Sequence, residues 1–267
     1  IMKTNNELGT AMVTGASSGL GKVFAEKLAA RGYDLKLVAR REDKLIELAA
    51  KLRSQYGVTV TNLVADLSAS ADLEKVANDI QNDSKITLLI NNAGTSTLAS
   101  IAETSAAKQK EMVDVNITAL MLLTNAILPE FIKRNEGTII NIGSVLGAFT
   151  LPISSVYSGT KGFVVQYTRG LQEEVKGTNI KVQLVNPSIT ATEIWEVGGV
   201  PLSALDQAAI MTTEDCVDAA LAGLAAGELA TFPSVHNQEL IDAYEEARIK
   251  LFTGSQTGKP AERYLQN

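Results

Sequence analysis

Short apolar runs alternate with amphipathic stretches along most of this sequence. Between the first two runs, Leu20, Val23, Phe24 and Leu28 follow the spacing of one helix face. The apolar runs occupy residues 10–14, 35–39, 58–65, 86–90, 137–143, 180–186 and 230–235. Apolar strands separated by amphipathic helices are typical of a parallel sheet covered by helices on both faces. We therefore predict a doubly wound α/β fold with seven parallel strands.

The chain holds 267 residues, which suits one large α/β domain and would also allow two smaller ones. Because no Pro/Gly-rich linker interrupts the interior, we predict a single domain over residues 2–267. Residues 187–212, between the sixth strand and the next helix, show no regular pattern. Irregular segments of this length in a compact domain are usually functional, so we expect a substrate lid here. Residues 253–267 are predicted to form a C-terminal tail.

Composition narrows the range of partners and compartments. The formal net charge is −6 and the basic residues are scattered, unlike the basic stripe of a nucleic-acid-binding protein. The single cysteine cannot form an intramolecular disulfide, so a reducing compartment fits best. The N-terminal stretch lacks the apolar core of a signal peptide, and no apolar run approaches the roughly 18 residues of a membrane span. We therefore expect a cytoplasmic protein with no membrane or nucleic-acid partner.

A glycine-rich stretch, TGASSGLG (14–21), lies between the first strand and the first helix. Gly15, Gly19 and Gly21 leave room for the backbone to approach a pyrophosphate, whose charge would face the helix N-terminus. The spacing is G-x-x-x-G-x-G, which differs from the common G-x-G-x-x-G fingerprint. A glycine-rich turn of this kind can also be purely structural, so further signals are needed to assign a dinucleotide.

The second strand ends in VARRE, which places Arg40 and Arg41 at its carboxyl end. In dinucleotide-binding folds this position faces the adenosine ribose, and an acidic residue there binds the 2′-hydroxyl. Two arginines favour a ribose 2′-phosphate instead, with Arg40 as the main contact and Arg41 assisting, and therefore NADP(H). Without the upstream glycine loop, the same arginines would equally well be solvated surface.

The stretch SVYSGTK (155–161) places Tyr157 and Lys161 one helical turn apart. Such pairs also occur on ordinary helix faces, so the pair alone assigns nothing. Further candidates lie upstream: Ser144 follows the fifth strand, 13 residues before Tyr157, and Asn116 lies within a long helical stretch at about 106–133.

Taken together, these motifs and NNAG (91–94), which follows the fourth strand, resemble the short-chain dehydrogenase/reductase family in its compact single-domain form. The resemblance covers roughly residues 8–235 and implies a Rossmann-type sheet and an oxidoreductase. It implies a catalytic tetrad of Asn116, Ser144, Tyr157 and Lys161. It assigns NADP(H) binding to Gly15, Ser17, Ser18, Gly19, Leu20, Gly21, Arg40, Arg41, Asp66, Leu67, Asn92, Ala93, Gly94, Tyr157, Lys161, Pro187, Ile189 and Thr192. One departure is that Ser188 stands where the family usually has glycine, which puts the Ile189 contact with the nicotinamide in doubt.

The resemblance also gives the tyrosine a chemical role. Hydride transfer to a carbonyl builds negative charge on the oxygen, and Tyr157 would donate the proton it needs. The ammonium group of Lys161 would lower the pKa of the phenol and reach the cofactor ribose. Ser144 would orient the substrate oxygen, and Asn116 would hold a water that relays protons to Lys161. This chemistry requires neither histidine nor a metal.

The substrate itself is not identified by the sequence. Nearby apolar side chains predict a hydrophobic carbonyl compound, and Trp195 is equally well a structural anchor or a wall of the substrate site. The predicted pocket residues are Val145, Leu146, Phe149, Leu151 and Trp195, with Ile153 close by. The single histidine, His236, is not expected to be catalytic, and Cys216 is expected to pack in the core.

Three hypotheses follow for the function. The first is an NADP(H)-dependent oxidoreductase of the carbonyl reductase type, acting on a hydrophobic ketone or aldehyde or the corresponding alcohol. The second is an NADP(H)-sensing binding protein with little turnover, which would not need Tyr157. The third is an enzyme that catalyses epimerisation or dehydration. Relatives of this length usually form homodimers or homotetramers through two helices, which here carry the apolar residues Leu120, Leu123, Ile127, Phe163, Val164 and Tyr167.

Overall fold

Seven parallel strands form a single sheet in the computed structural model, which describes residues 8–265. The strands are β1 Thr10–Thr14, β2 Asp34–Ala39, β3 Val60–Val64, β4 Ile86–Asn91, β5 Gly137–Ile142, β6 Ile180–Val185 and β7 Ala230–Thr231. They lie in the order β3-β2-β1-β4-β5-β6-β7, and the register pairs Thr14 with Val38 and Ile90 with Val13. The predicted seven-stranded, doubly wound sheet is confirmed.

Helices cover both faces of this sheet. They are α1 Gly19–Ala30, α2 Glu42–Tyr56, α3 Ser70–Gln81, α4 Ala106–Val113, α5 Leu120–Arg134, α6 Ser155–Glu174, α7 Ile194–Val197, α8 Thr213–Ala226 and α9 Gln238–Gly254. Alternate side chains of β1 serve the two cores, because successive residues of a strand point to opposite faces. Ala11 and Val13 pack with α1, α2 and α8, whereas Met12 packs with α3, α5 and α6. Both faces of the sheet are therefore buried, as parallel sheets require.

The seventh strand is shorter than predicted. The apolar run over 230–235 gives a strand only at Ala230–Thr231. Pro233 has no backbone N–H to donate to a neighbouring strand, so the run cannot continue as part of the sheet. The prediction of a six-residue strand was wrong for this reason.

The long helical stretch is continuous from Ala106 to Arg134, but it contains a π-helical segment at Asp114–Ala119 between α4 and α5. Such segments are rare and often mark functional sites, and this one carries Asn116. By length and composition alone, the stretch is apolar enough to span a membrane, contrary to the expectation from the sequence. Its buried residues, among them Leu123 and Phe131, pack in the core of the protein beside the sheet.

Several apolar residues predicted to contact another copy of the chain lie instead in the core. Leu120, Leu123 and Ile127 are buried because they face the inside of the protein. The exposed apolar residues of the same helix include Met121, Leu122 and Ile132. Any contact between copies through this helix would therefore use these exposed residues.

The described residues fall into two compact units, 8–233 and 234–265. The sheet and its helices belong to the first unit. The second contains α9, which begins after Asn237, whose side-chain oxygen accepts a hydrogen bond from the Glu239 N–H at 2.9 Å. The single-domain organisation stays a prediction, and the ends of the predicted domain and tail, residues 2–7 and 266–267, lie outside the described residues.

Candidate active site

A groove of about 540 Å³ opens at the carboxyl ends of the strands, where the strand order reverses between β1 and β4. In open parallel sheets this crevice is the usual place for a ligand, because the loops on its two sides diverge. The lining includes the glycine loop, the loops that follow β2 to β5, the start of α6 and the segment after β6. Most of the residues assigned from the sequence therefore lie together.

The glycine loop has the shape needed to hold an anion. Gly15 and Gly19 have φ values of +67° and +52°, in the left-handed region that favours glycine. A Cβ atom on Gly15 would lie 2.8 Å from the Asn92 side-chain nitrogen, so a larger residue would not fit. Ser18 precedes α1 without capping it through its side chain, and the first turn of α1 has no acidic residue. The loop thus fits a pyrophosphate group at the N-terminus of the helix.

Gly21 does not line the groove, although the sequence placed it with the cofactor. It is buried in the first turn of α1, where a Cβ atom would overlap the carbonyl oxygen of Gly15. Its role is to let the helix pack closely under the loop. The prediction of a direct contact is corrected accordingly.

The two arginines after β2 both line the groove but have different partners. Arg40 is mostly exposed, and its Nη1 lies 3.8 Å from Glu111 Oε1. Arg41 donates from Nε and Nη2 to the Ser17 hydroxyl, both at 3.2 Å, and pairs with Glu193. Arg41 is therefore the arginine that is hydrogen-bonded to the glycine loop.

Asp66 lies on the same side of the groove, after β3. Burial opposes its ionisation, but hydrogen bonds from Ser68 and the charge of Arg40 prevail and lower the pKa. The Ser68 N–H and hydroxyl both donate to Oδ1, at 3.0 and 2.7 Å. Asp66 is thus held as a carboxylate, an acceptor suited to an amino group. Leu67, Asn92, Ala93 and Gly94 also line the groove.

Ser144 and Tyr157 both line the groove. Ser144 has extended backbone just after β5, and its Oγ accepts from the Leu146 N–H at 3.1 Å. Burial raises the pKa of Tyr157 to about 12, and the hydrogen bond with Ser144 offsets part of this effect. The phenol is therefore protonated at neutral pH.

Lys161 lies one turn of α6 beyond Tyr157, and its Nζ donates to the Ile142 carbonyl oxygen at 2.8 Å. Burial lowers the pKa of Lys161 to about 8. A lowering of the phenol pKa by the Lys161 ammonium stays a prediction, since in this structure burial outweighs the Ser144 hydrogen bond and keeps that pKa raised. Nζ lies 5.8 Å from the centre of the Tyr157 ring.

Asn116 lies behind the groove rather than in its lining. Its Oδ1 accepts from the Thr95 N–H at 2.9 Å, and its Nδ2 donates to the Thr95 carbonyl and to Thr160 Oγ1 at 2.9 and 3.0 Å. The side chain therefore joins the loop after β4 to α6. A role in holding a water for Lys161 stays a prediction.

The segment after β6 closes one side of the groove, and Pro187, Ile189 and Thr192 all line it. The methyl group of Thr192 lies over Gly19, 3.1 Å from where a Cβ atom would be. Within residues 8–265 the one non-glycine residue with positive φ is Asn135, so Ser188 has ordinary backbone. Serine in place of the usual glycine causes no strain here.

The substrate side of the groove is mostly apolar. Of the predicted pocket residues, four line it: Val145, Leu146, Leu151 and Trp195. Phe149 does not, and with 69% of its surface exposed it points to solvent, so its assignment is corrected. The Trp195 Nε1 donates to the Thr190 carbonyl at 3.0 Å, which anchors the indole beside the site.

The sequence analysis missed several lining residues because no motif marks them. They include Thr95, Ser96, Leu98, Glu111, Val115, Thr190, Glu193, Ile194, Val197 and Leu205. Glu193 is the most informative of these. It lies within the predicted lid, and no local sequence pattern predicts its partner Arg41, which is 152 residues away.

Two further residues singled out in the sequence are Cys216 and His236. Cys216 is buried, as predicted, and burial raises the pKa of its thiol to about 11, an effect partly offset by a hydrogen bond with Thr190. His236 is exposed and belongs to the second compact unit. Across residues 8–265, no group of three His, Cys, Asp or Glu side chains is placed to hold a metal ion.

Comparison with known proteins points to one family. The family profile for short chain dehydrogenases matches residues 9–198. The very-long-chain 3-oxoacyl-CoA reductase of Anas platyrhynchos is 33% identical over 192 residues, which cover 70% of this chain and 61% of that protein. The chain thus spans about 60% of the length of the curated relatives it matches.

Two solved structures are similar over nearly the whole chain. A short-chain dehydrogenase from Sphingobium yanoikuyae in complex with NADPH is 40% identical with a TM-score of 0.93, covering 97% of this chain and 100% of that one. A bulky-bulky ketone specific alcohol dehydrogenase from Comamonas testosteroni is 35% identical with a TM-score of 0.88, covering 97% and 99%.

Proposed function

This chain belongs to the short-chain dehydrogenase/reductase family of oxidoreductases, and we propose that it transfers a hydride between NADP(H) and a bulky, uncharged ketone or aldehyde, or the corresponding alcohol. The glycine loop and the two arginines after β2 support the choice of NADP(H). The NADPH found in the neighbour from Sphingobium yanoikuyae supports it further.

The proposal of an uncharged substrate rests on the charged residues in the segments around the substrate side of the groove. Three segments surround that side, residues 92–105, 144–157 and 187–212, and none contains a lysine or arginine. They contain four acidic residues: Glu103, Glu193, Glu196 and Asp206. Glu193 is paired with Arg41, but the phosphate groups of an acyl-CoA would still meet the other three carboxylates with no basic residue in these segments, which is unfavourable. The groove therefore suits a neutral ketone better than the CoA thioester named for several relatives.

Apolar side chains at the mouth of the groove support a bulky hydrophobic substrate. Leu151 and Val197 line the groove while remaining exposed, Val197 over 62% of its surface. Exposed apolar groups that line a cavity commonly mark a binding surface for apolar ligands. Trp195 and Leu146 extend this surface inward.

The residues beside the groove provide the proton that a carbonyl reduction needs. NADPH, when bound, supplies the hydride. Tyr157 donates its phenolic proton to the substrate oxygen as negative charge develops there, and Ser144 orients the same oxygen by a hydrogen bond. Lys161 in its ammonium form stabilises the phenolate that remains, since opposite charges attract strongly in a buried site. Asn116 positions the loop after β4 against α6.

A matched pair of substrates tests the proposal. A long-chain 3-oxo acid is offered with NADPH either as its CoA thioester or as its uncharged N-acetylcysteamine thioester, alongside a bulky aryl ketone. We expect kcat/KM for the uncharged compounds to exceed that for the CoA thioester by at least about tenfold, which corresponds to about 1.4 kcal/mol. A higher kcat/KM for the CoA thioester would contradict the proposed substrate class.

A substitution at the mouth of the groove separates the effect of charge on substrate choice from the effect of side-chain shape. Val197→Lys adds one positive charge beside the groove, and Val197→Gln is the uncharged polar control. We expect the lysine variant alone to raise kcat/KM for the CoA thioester. Equal effects of the two substitutions would show that charge does not exclude this substrate.

A further inference from the structure

The guanidinium group of Arg41 joins two parts of the groove that are far apart in sequence. On one side it donates to the Ser17 hydroxyl of the glycine loop. On the other, Nη2 lies 2.9 Å from Glu193 Oε2, and Nη1 lies 3.4 Å from Glu193 Oε1. Both carboxylate oxygens thus face the planar fork of the arginine, a geometry that phosphate groups also use.

Glu193 stands at the start of α7, in the segment predicted to be a lid. The loop after β4 holds the same segment at a second point, where Ser96 Oγ donates to the Ile194 carbonyl at 2.8 Å and the Leu98 N–H donates to the Gly198 carbonyl at 2.9 Å. The segment is therefore fastened at its substrate side by these bonds and at its cofactor side by Arg41.

The groups around Glu193 keep it ionised. The hydrogen bond from Arg41 lowers its pKa most, burial opposes this effect, and Ser18 and Lys44 lower the pKa further. Arg41 and Lys44 are the cations that act on this carboxylate. A Glu193 side chain released from Arg41 would therefore still have a cation nearby.

We propose that the Arg41–Glu193 ion pair is a latch that a ribose 2′-phosphate opens, so that the lid segment responds to the cofactor bound. The inference rests on the proposed use of NADP(H). A phosphate dianion and a carboxylate compete for the same guanidinium, and the phosphate brings more charge and more acceptor oxygens. NAD(H) has no 2′-phosphate and leaves the pair closed. Glu193 is thus a specificity-determining residue that opposes NADP(H) binding.

The ion pair has the strength that such a latch requires. The side chains of Arg41 and Glu193 are 42% and 59% exposed. Ion pairs at exposed positions contribute little, so a phosphate can displace this one at low cost, and its removal should change affinity by about two- to fivefold. A fully buried pair would resist displacement.

Equilibrium binding to Glu193→Gln tests the latch directly. The substitution keeps the size of the side chain and removes its charge, and Glu196→Gln, three residues further along and outside the groove lining, is the matched control. By titration calorimetry, we expect Glu193→Gln to bind NADP⁺ about two- to fivefold more tightly and NAD⁺ unchanged. The control should match the parent for both.

Trp195, the single tryptophan of the chain, reports on the lid two residues from Glu193. Adenosine 2′,5′-bisphosphate carries the phosphate but no nicotinamide, and AMP lacks the 2′-phosphate. We expect the bisphosphate to shift the Trp195 fluorescence of the parent protein and AMP to leave it unchanged. In Glu193→Gln, the emission should resemble that of the bisphosphate-bound parent before any ligand is added.

Two outcomes would overturn the latch. One is weaker or equal NADP⁺ binding by Glu193→Gln, which would mean that Glu193 positions Arg41 or has no role. The other is Trp195 emission that does not respond to the bisphosphate although calorimetry records its binding. If the parent protein binds NADP⁺ and reduces a bulky ketone, either outcome contradicts the proposed latch but not the proposed function. Failure of the parent to bind NADP⁺ would remove the proposed function as well.

Discussion

The amine of Lys161 lies 5.8 Å from the centre of the Tyr157 ring, one turn further along α6. Burial moves the two pKa values in opposite directions, to about 12 for Tyr157 and about 8 for Lys161. At neutral pH the pair consists of a neutral phenol and an ammonium group that is costly to bury. The first group is ready to donate a proton, and the second can stabilise the anion that results.

The raised pKa of Tyr157 predicts different pH profiles for the two directions of the reaction. Carbonyl reduction needs the neutral phenol, which is present throughout the neutral range, so its rate should not rise with pH. Alcohol oxidation needs the phenolate as base, so its rate should rise from pH 6 to pH 8, by up to about tenfold per pH unit, while Lys161 keeps its ammonium form. Initial rates with a bulky ketone and its alcohol measure both. An oxidation rate that stays flat over this range would contradict the role of Tyr157.

Lys161 should reduce the stability of the ligand-free protein. We expect Lys161→Met to be more stable at pH 7 by about 1–2 kcal/mol in urea unfolding, because the buried charge is removed, while turnover is lost.

The pH dependence of that difference follows from the lowered pKa. Between about 8 and the ordinary lysine value of 10.5, the unfolded chain holds a proton on Lys161 that the folded protein does not. The parent therefore gains stability as pH rises through this window, and the advantage of Lys161→Met should shrink. An advantage that stays constant from pH 7 to pH 10 would mean that the charge of Lys161 is not the cause.

The arginines after β2 should decide the cofactor. Arg40→Asp is expected to weaken NADP⁺ binding and favour NAD⁺, and Arg41→Asp to do so more strongly, because Arg41 is bonded to the glycine loop. Loss of a charge-assisted hydrogen bond corresponds to about ten- to a hundredfold in affinity. Calorimetry with both cofactors measures this. If both variants bind NADP⁺ like the parent, the arginines are solvated surface.

We also predict that the chain forms homodimers or homotetramers. Met121 and Leu122 are exposed on the long helix, and the rings of Phe163 and Tyr167 stack on α6 with centroids 5.4 Å apart. Light scattering should give a multiple of the chain mass of 28.4 kDa, and Leu122→Glu should lower it. Leu123 is buried in the core, so it cannot serve as an interface control. A monomeric mass for the parent at micromolar concentration would refute the prediction.

The sheet and the groove were predictable because their signals are local. Apolar runs set the strands, and the glycine loop, Ser144 and the Tyr157–Lys161 pair each follow from short motifs at fixed spacing. The strand at 230–235 was overestimated because an apolar run alone does not show where a proline ends hydrogen bonding.

The parts that were not predictable depend on contacts between distant residues. The pairing of Arg41 with Glu193 and the bonds from Asn116 to Thr95 need the folded chain, since no periodicity links these positions. The raised pKa of Tyr157 could not be predicted for the same reason, because the extent of burial around Tyr157 is a property of the whole site.

Turnover by Tyr157→Phe tests the central claim most directly. The substitution removes the proposed proton donor and little else, so NADPH oxidation with a bulky ketone should fall by about a hundredfold or more. Binding of NADP⁺, measured by calorimetry on the same preparation, should stay within about twofold of the parent. A variant that binds the cofactor normally and keeps half of the parental rate would contradict the account.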